Sequence, residues 1–107
     1  MTVAYRLRAD GGVLEFCGEL DHHAARSAML RAEQLLDTYQ PGALFLDFSG
    51  LSFMDSSGIA LLLKLQKRTQ ALGGTMCVEN LPPQAWRVLV GAGIDRLIKL
   101  SKKRGNT

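Results

Sequence analysis

The chain is poor in aromatic residues and in cysteine. One Trp, two Tyr and four Phe make up 7% of its 107 residues, and there are two cysteines. Aromatics this sparse, with no interleaving among basic residues, argue against the stacking platforms of single-strand nucleic-acid binders. Cys17 and Cys77 lie far apart in apolar, strand-like segments, and no C-x-x-C spacing occurs. A disulfide scaffold or a cysteine-held metal is therefore not expected, and both read as reduced, half-buried thiols. Long hydrophobic runs are missing as well. No stretch reaches the roughly 18 apolar residues that cross a bilayer, so no membrane partner is expected. The opening MTVAYRLRAD lacks the apolar core of a signal peptide, and a cytoplasmic location is the expectation. Neither G-x-G-x-x-G nor G-x-x-x-x-G-K-[ST] occurs, which leaves no phosphate-cradling loop. A G-x-S-x-G elbow is missing too, which removes the hydrolase reading.

What is present is enough for one folded domain. Hydrophobic residues make up 47% of the chain, which argues against disorder. A domain of this length buries roughly 65% of the surface its unfolded chain would expose, so one core suffices without metal or disulfide staples. The net charge is +3. Lys102, Lys103 and Arg104 sit together near the end, and without them ten basic side chains face ten acidic ones. The excess charge is thus assigned to a frayed tail, 101–107, and not to a nucleic-acid stripe on the folded body, 1–100.

Periodicity divides the body into alternating elements. Val3 to Ala9 alternates, with Val3, Tyr5 and Leu7 on one side and Arg6 and Arg8 on the other, as a half-buried strand does. Asp10-Gly11-Gly12 is expected to supply the positive-φ positions of a tight hairpin, and Val13 to Cys17 the return strand. Asp21 is a good N-cap for a helix with apolar residues at Ala24, Ala25, Ala28, Met29, Ala32, Leu35, Leu36 and Tyr39. Pro41-Gly42 ends it. Ala43 to Phe48 is apolar apart from Asp47, the pattern of a central parallel strand buried on both faces. A second helix follows Asp55 and stops at Gly73-Gly74. Thr75 to Glu79 is a further strand. Pro82-Pro83 opens a third helix whose core stripe is read as Trp86, Leu89 and Val90. Gly91 and Gly93 close it, and Arg96 to Leu100 makes a last edge strand. The expected fold is α/β: a mixed sheet in the order β-β-α-β-α-β-α-β with helices packed on it. Two of the connections are read as right-handed crossovers.

The chemistry concentrates in LFLDFSGLSFMDSSGIALLLKL, residues 44–65. Here a strand passes through a short turn into a helix. Its first turn carries Ser56 and Ser57 between Asp55 and Gly58. A helix start presents unpaired backbone N–H groups and the positive end of the dipole. Ser56 there has two readings. It caps its own helix, or it offers an exposed hydroxyl to a kinase. A phosphate would add close to two negative charges, which a helix N-terminus tolerates. Five consecutive apolar residues follow, Ile59 to Leu63. Leu62 and Leu65, with Ile59 or Leu61, are expected in the core, and the remainder exposed beside Ser56 as a partner-binding patch. The bland alternative is a helix sandwiched between the sheet and a neighbouring helix. Asp21 also reads first as a cap, but crossover topology brings helix starts to one edge of the sheet, so Asp21 and Asp55 are expected to flank Ser56. His22-His23 point about 100° apart on a helix and lack a third ligand, so no metal is expected.

Gly18-Glu19-Leu20-Asp21-His22-His23, joined to Leu51-Ser52-Phe53-Met54-Asp55-Ser56-Ser57-Gly58, resembles the anti-sigma factor antagonists of the STAS (sulphate transporter and anti-sigma antagonist) domains. The resemblance runs from about Tyr5 to Leu100 and is nearest the sporulation branch, the anti-sigma F antagonists. It implies a protein that is not an enzyme, needs no cofactor, and binds an anti-sigma factor serine kinase to free the sigma factor. Phosphorylation of Ser56 by that kinase implies release, and a PP2C-type phosphatase implies recovery. ATP and Mg²⁺ belong to the kinase. The partner-binding residues expected on this basis are Asp21, His22, Asp55, Ser56, Ser57, Gly58, Ile59 and Leu63, and the free chain is expected to be a monomer. A general stress antagonist of the same family and a nucleotide-binding STAS domain are the alternatives. The family continues past the last strand into another helix, for which Ser101 to Thr107 is too short and too polar. Some apolar surface is expected to stay uncovered there.

Overall fold

The computed structural model describes residues 1–103. β1 (Thr2–Arg8) and β2 (Gly11–Leu20) form an antiparallel hairpin. α1 (Ala25–Tyr39) leads to β3 (Ala43–Met54), and α2 (Ser56–Ala71) to β4 (Thr75–Leu81). α3 (Pro83–Gly91) and a 3-10 turn at Ile94–Arg96 then reach β5 (Lys99–Lys102). The five strands form one mixed sheet in chain order, with β3 at its centre. This is the expected α/β order. β2, β3, β4 and β5 are mutually parallel, so the crossovers number three and not two.

Each crossover steps to the adjacent strand in the same direction. Right-handed connections of that kind stack all three helices on one face. The core lies between. Leu14, Phe16, Leu44, Leu46, Phe48 and Val78 rise from the sheet. They meet Ala28, Ala32 and Leu36 of α1, Leu61, Leu62 and Leu65 of α2, and Ala85 and Leu89 of α3. Each fully buried large side chain contributes roughly 1.5–3 kcal/mol. On α3 the stripe is Ala85 and Leu89, with Trp86 and Val88 packed partly against the core; Leu89 and in part Trp86 are as expected, and Val90 is not in the stripe. Trp86 is half-buried at the edge, with Lys102 Nζ 5.0 Å from its ring centroid.

The opposite face of the sheet has no helix on it, which corrects the expectation that β3 is buried on both sides. Phe45 and Asp47 are only half-buried. The sheet's own side chains shelter them. The Arg8 guanidinium lies 4.1 Å from the Phe45 ring centroid and donates to Glu79 at 2.9 and 3.0 Å. Those bonds, with two to Asp10, hold Arg8 more firmly protonated than an ordinary arginine. Asp47 accepts from the Ser49 N–H at 2.9 Å and the Asn80 amide at 3.1 Å.

Local differences have local causes. Arg8 pairs with Gly11, so the hairpin loop is Ala9-Asp10 and neither residue is left-handed. Gly11, at φ 156°, supplies one of the expected positive-φ positions, and both Gly11 and Gly12 also serve close approach. A Cβ on Gly11 would collide with the Ala43 carbonyl, and one on Gly12 with the Tyr5 ring. Leu7 alternates as expected but is exposed, because α1 covers β1 only as far as Tyr5, whose ring stacks on Tyr39 at 4.1 Å. Cys17 is exposed and only Cys77 half-buried, both as free thiols. Burial pushes the Cys77 thiol pKa up. β5 begins at Lys99, since Ile94–Arg96 winds into the 3-10 turn. It takes in Ser101 and Lys102, placed above in a frayed tail. Lys103 is also engaged, its N–H donating to Leu81 and its Nζ to the Ser49 carbonyl. Arg104 lies outside the described residues.

Candidate functional site

Parallel pairing decides where the site forms. Leu20 at the end of β2 lies beside Met54 at the end of β3. The next residues are Asp21 and Asp55, so the two acids arrive at one corner, where α1 and α2 begin. Their carboxylates do different work. Asp21 Oδ1 accepts from the His23 and Ala24 N–H groups, both at 3.0 Å. It therefore caps the turn that precedes α1. The N-cap of α1 itself is Ala24, without a side-chain bond, which corrects the reading of Asp21 as the cap of that helix.

Asp55 is the N-cap of α2, with Oδ1 accepting the Ser57 N–H at 2.8 Å. Its Oδ2 accepts the His22 N–H at 3.0 Å. Its own N–H reaches the Leu20 carbonyl at 3.3 Å. The Ser57 N–H, followed by the Ser57 hydroxyl and the His22 N–H, holds the Asp55 carboxyl below the usual carboxylate range.

Ser56 is the first residue of α2 and is exposed. Asp55 already does the capping, so that role does not belong to Ser56. Its hydroxyl makes no hydrogen bond among the described residues. Ser57 is half-buried and Gly58 buried. A Cβ on Gly58 would stand 2.8 Å from Met54 Cγ, so glycine is what lets the first turn of α2 press onto the end of β3.

Sequence reasoning missed Gln84. Its Oε1 accepts the Met54 N–H at 2.9 Å and its Nε2 donates to the Met54 carbonyl at 2.7 Å. The first turn of α3 thus completes the last residue of a strand 30 positions earlier. Its place just after Pro82-Pro83 marks a helix start and names no distant partner.

The apolar run of α2 divides as expected, with Leu61 taking the third core position. Leu61, Leu62 and Leu65 are all buried. Leu61 is covered on the side of α1, as the sandwiched reading has it. Ile59 packs partly on the core, and Leu63 stays 38% exposed. The Gln66 amide donates to the Leu97 carbonyl at 2.7 Å, and Leu97 is 59% exposed. Ser56, Ile59, Leu63 and Gln66 recur at helical spacing, so the open apolar strip runs from the serine towards Leu97. His22 and His23 are both exposed, and no group of three or more metal-ligating side chains occurs among the described residues. No described helix is long and apolar enough to cross a membrane.

A mixed sheet with helices on one face and an exposed, acid-capped helix start at its edge defines a class of small α/β domain. The chain belongs to the STAS domain family, whose model matches residues 4–106. It is 28% identical over 88 residues to an anti-sigma F factor antagonist of Paenibacillus polymyxa, covering 82% of this chain and 75% of that one. A second relative, an anti-sigma F factor antagonist of Lysinibacillus sphaericus, is 30% identical over 82 residues, with 77% and 70% covered. Among solved structures, the anti-sigma factor antagonist SpoIIAA in its unphosphorylated form superposes with a TM-score of 0.75 at 24% identity, over 95% of this chain and 90% of that one. The phosphorylated form of SpoIIAA superposes at 0.67 and 24% identity, over 95% and 93%.

Proposed function

We propose that this chain is an anti-sigma factor antagonist: it binds an anti-sigma factor serine kinase, frees the sigma factor, and is switched off by phosphorylation of Ser56. One observation carries the reading. Ser56 stands exposed at a helix start that Asp55 already caps, so its hydroxyl is spare. The names of the relatives and the two forms of SpoIIAA point the same way.

The physical consequence is a switch without a shape change. A phosphate on Ser56 meets the positive end of α2, which stabilises it. The same charge facing a partner's apolar or acidic surface is costly. A penalty of about 3 kcal/mol lowers affinity more than a hundredfold. The docking surface on this reading comprises Asp21, His22, Asp55, Ser56, Ser57, Gly58, Ile59 and Leu63. The chain acts by binding and not by catalysis, as a cytoplasmic monomer of the sporulation type, and a PP2C-type phosphatase resets it.

Intact mass after incubation with the cognate kinase and ATP tests this directly. The expected result is one phosphate on the wild type and none on Ser56→Ala, which still binds the kinase. Ser56→Asp is expected to bind more weakly. Phosphate incorporation into Ser56→Ala overturns the acceptor assignment, and unchanged affinity of Ser56→Asp overturns the electrostatic switch.

A further inference from the structure

α2 has two open flanks; the reading above centres on the one that carries Ser56, Ile59 and Leu63, and reaches the other only at its end, where His22 and Ser57 line it. The other faces α1 across a groove of about 470 Å³. A hollow of about 330 Å³ extends it towards Ala71 and shares Met29, Glu33 and Lys64 with it. The floor is apolar, made by Met29, Leu30, Ala60 and Leu61. Leu30 is 54% exposed although it sits mid-helix.

The rim is cationic on both sides. Arg26 stands on α1, and Lys64 and Lys67 on α2. All three are exposed and form no ion pair among the described residues. The nearby acids do not answer them. Glu33 and Asp37 are both taken by Arg68, at 3.2 and 2.6 Å. The groove therefore pairs unsatisfied positive charge with uncovered apolar surface.

We propose that the α1–α2 groove docks an acidic amphipathic helix of a partner protein, independently of the Ser56 reading. Three observations select that occupant. The backbone groups of both walls are bonded within their own helices, so an extended peptide finds no edge to pair with and side chains must supply the affinity. A furrow between neighbouring helices accepts the ridge of a third, and α2, with 16 residues, gives it a length of roughly 24 Å. Acids on the flanks of such a helix reach Arg26 on one side and Lys64 and Lys67 on the other, which supplies orientation and on-rate. The concave floor also disfavours a bilayer surface, which needs its apolar side chains to protrude.

The test uses the isotopically labelled full chain and two capped synthetic peptides of 16 residues, the length of α2. Both carry leucines at helical spacing; one has glutamates on its flanks and the other lysines. The glutamate peptide is expected to shift the amides of Arg26, Leu30 and Lys64 saturably, and more weakly as salt rises. Arg26→Glu combined with Lys64→Glu is expected to weaken it by about tenfold or more. Leu30→Ser, which touches the floor and no core contact, is expected to weaken it also. Ser56→Ala binds it as the wild type does, so this surface and the phosphorylation reading fail separately. Absence of saturable shifts, equal binding of the lysine peptide, or undiminished binding by the charge-reversed chain overturns the proposal. So does a response of these amides to phosphatidylglycerol vesicles in place of the peptide.

Discussion

The carboxylate of Asp55 accepts the backbone N–H of His22 at 3.0 Å, across 33 residues of sequence. Its other oxygen caps α2 at Ser57. One side chain thereby joins the start of α1 to the start of α2 and leaves Ser56 standing free between them. The acid beside the serine organises the backbone under it.

Removal of that acid is expected to matter more than removal of the hydroxyl. Ser56→Ala should stay within about 0.5 kcal/mol of the wild type in urea unfolding, as exposed substitutions without partners do. Asp55→Ala should be clearly less stable, because it frees the N–H groups of both Ser57 and His22. Asp55→Asn, which keeps an oxygen acceptor, should fall between. The reverse order would mean that Ser56 is the cap.

Acid should act through the same group. The folded state holds the Asp55 carboxyl below its ordinary range, so ionisation of Asp55 stabilises the fold. That stability is fully present above the unfolded-state value, about 4, and is lost as pH falls through the folded value. Asp55→Asn carries no such contribution. The gap in unfolding midpoint between wild type and Asp55→Asn should therefore narrow below about pH 4. A gap that stays constant from neutral pH downwards would contradict this.

Gly58→Ala is expected to reverse the usual sign of its substitution. Alanine in a helix normally gains about 1 kcal/mol over glycine. Here the new Cβ stands 2.8 Å from Cγ of the fully buried Met54, and overpacking of this kind costs about 1–3 kcal/mol. In a Met54→Ala background the same change should cease to cost, because the two residues are in contact and their effects do not add. Thermal melts of the four proteins form the cycle.

Gln84→Leu should loosen the end of β3 from a distance. It leaves the Met54 N–H and carbonyl without the amide that completes them, a loss of about 1–3 kcal/mol. Hydrogen exchange at the Met54 amide should accelerate in the variant. Unchanged protection there would show that Gln84 does not support the strand end.

Much of this architecture is visible in local patterns. The apolar spacing of α1, the prolines at the start of α3 and the alternation in β1 each report a backbone period, which neighbouring residues determine. Element ends were less visible. β3 runs to Met54 and not to Phe48, because pairing with β2 carries it past the apolar stretch. The candidate site divides in the same way. Asp55-Ser56-Ser57-Gly58 announces a helix start, but the assignment of the cap to Asp55 depends on side-chain direction.

The amino-acid order by itself determined the alternation of strands and helices, the family, and the place of the spare serine at a strand-to-helix turn. These rest on periodicity, turn chemistry and a contiguous motif. Only the tertiary structure decided that Asp55 ties two helices together, that Gln84 completes Met54, and that Leu61 faces α1 while Leu63 stays open. Each of those depends on which strand lies beside which, and parallel pairing joins positions that local sequence cannot relate.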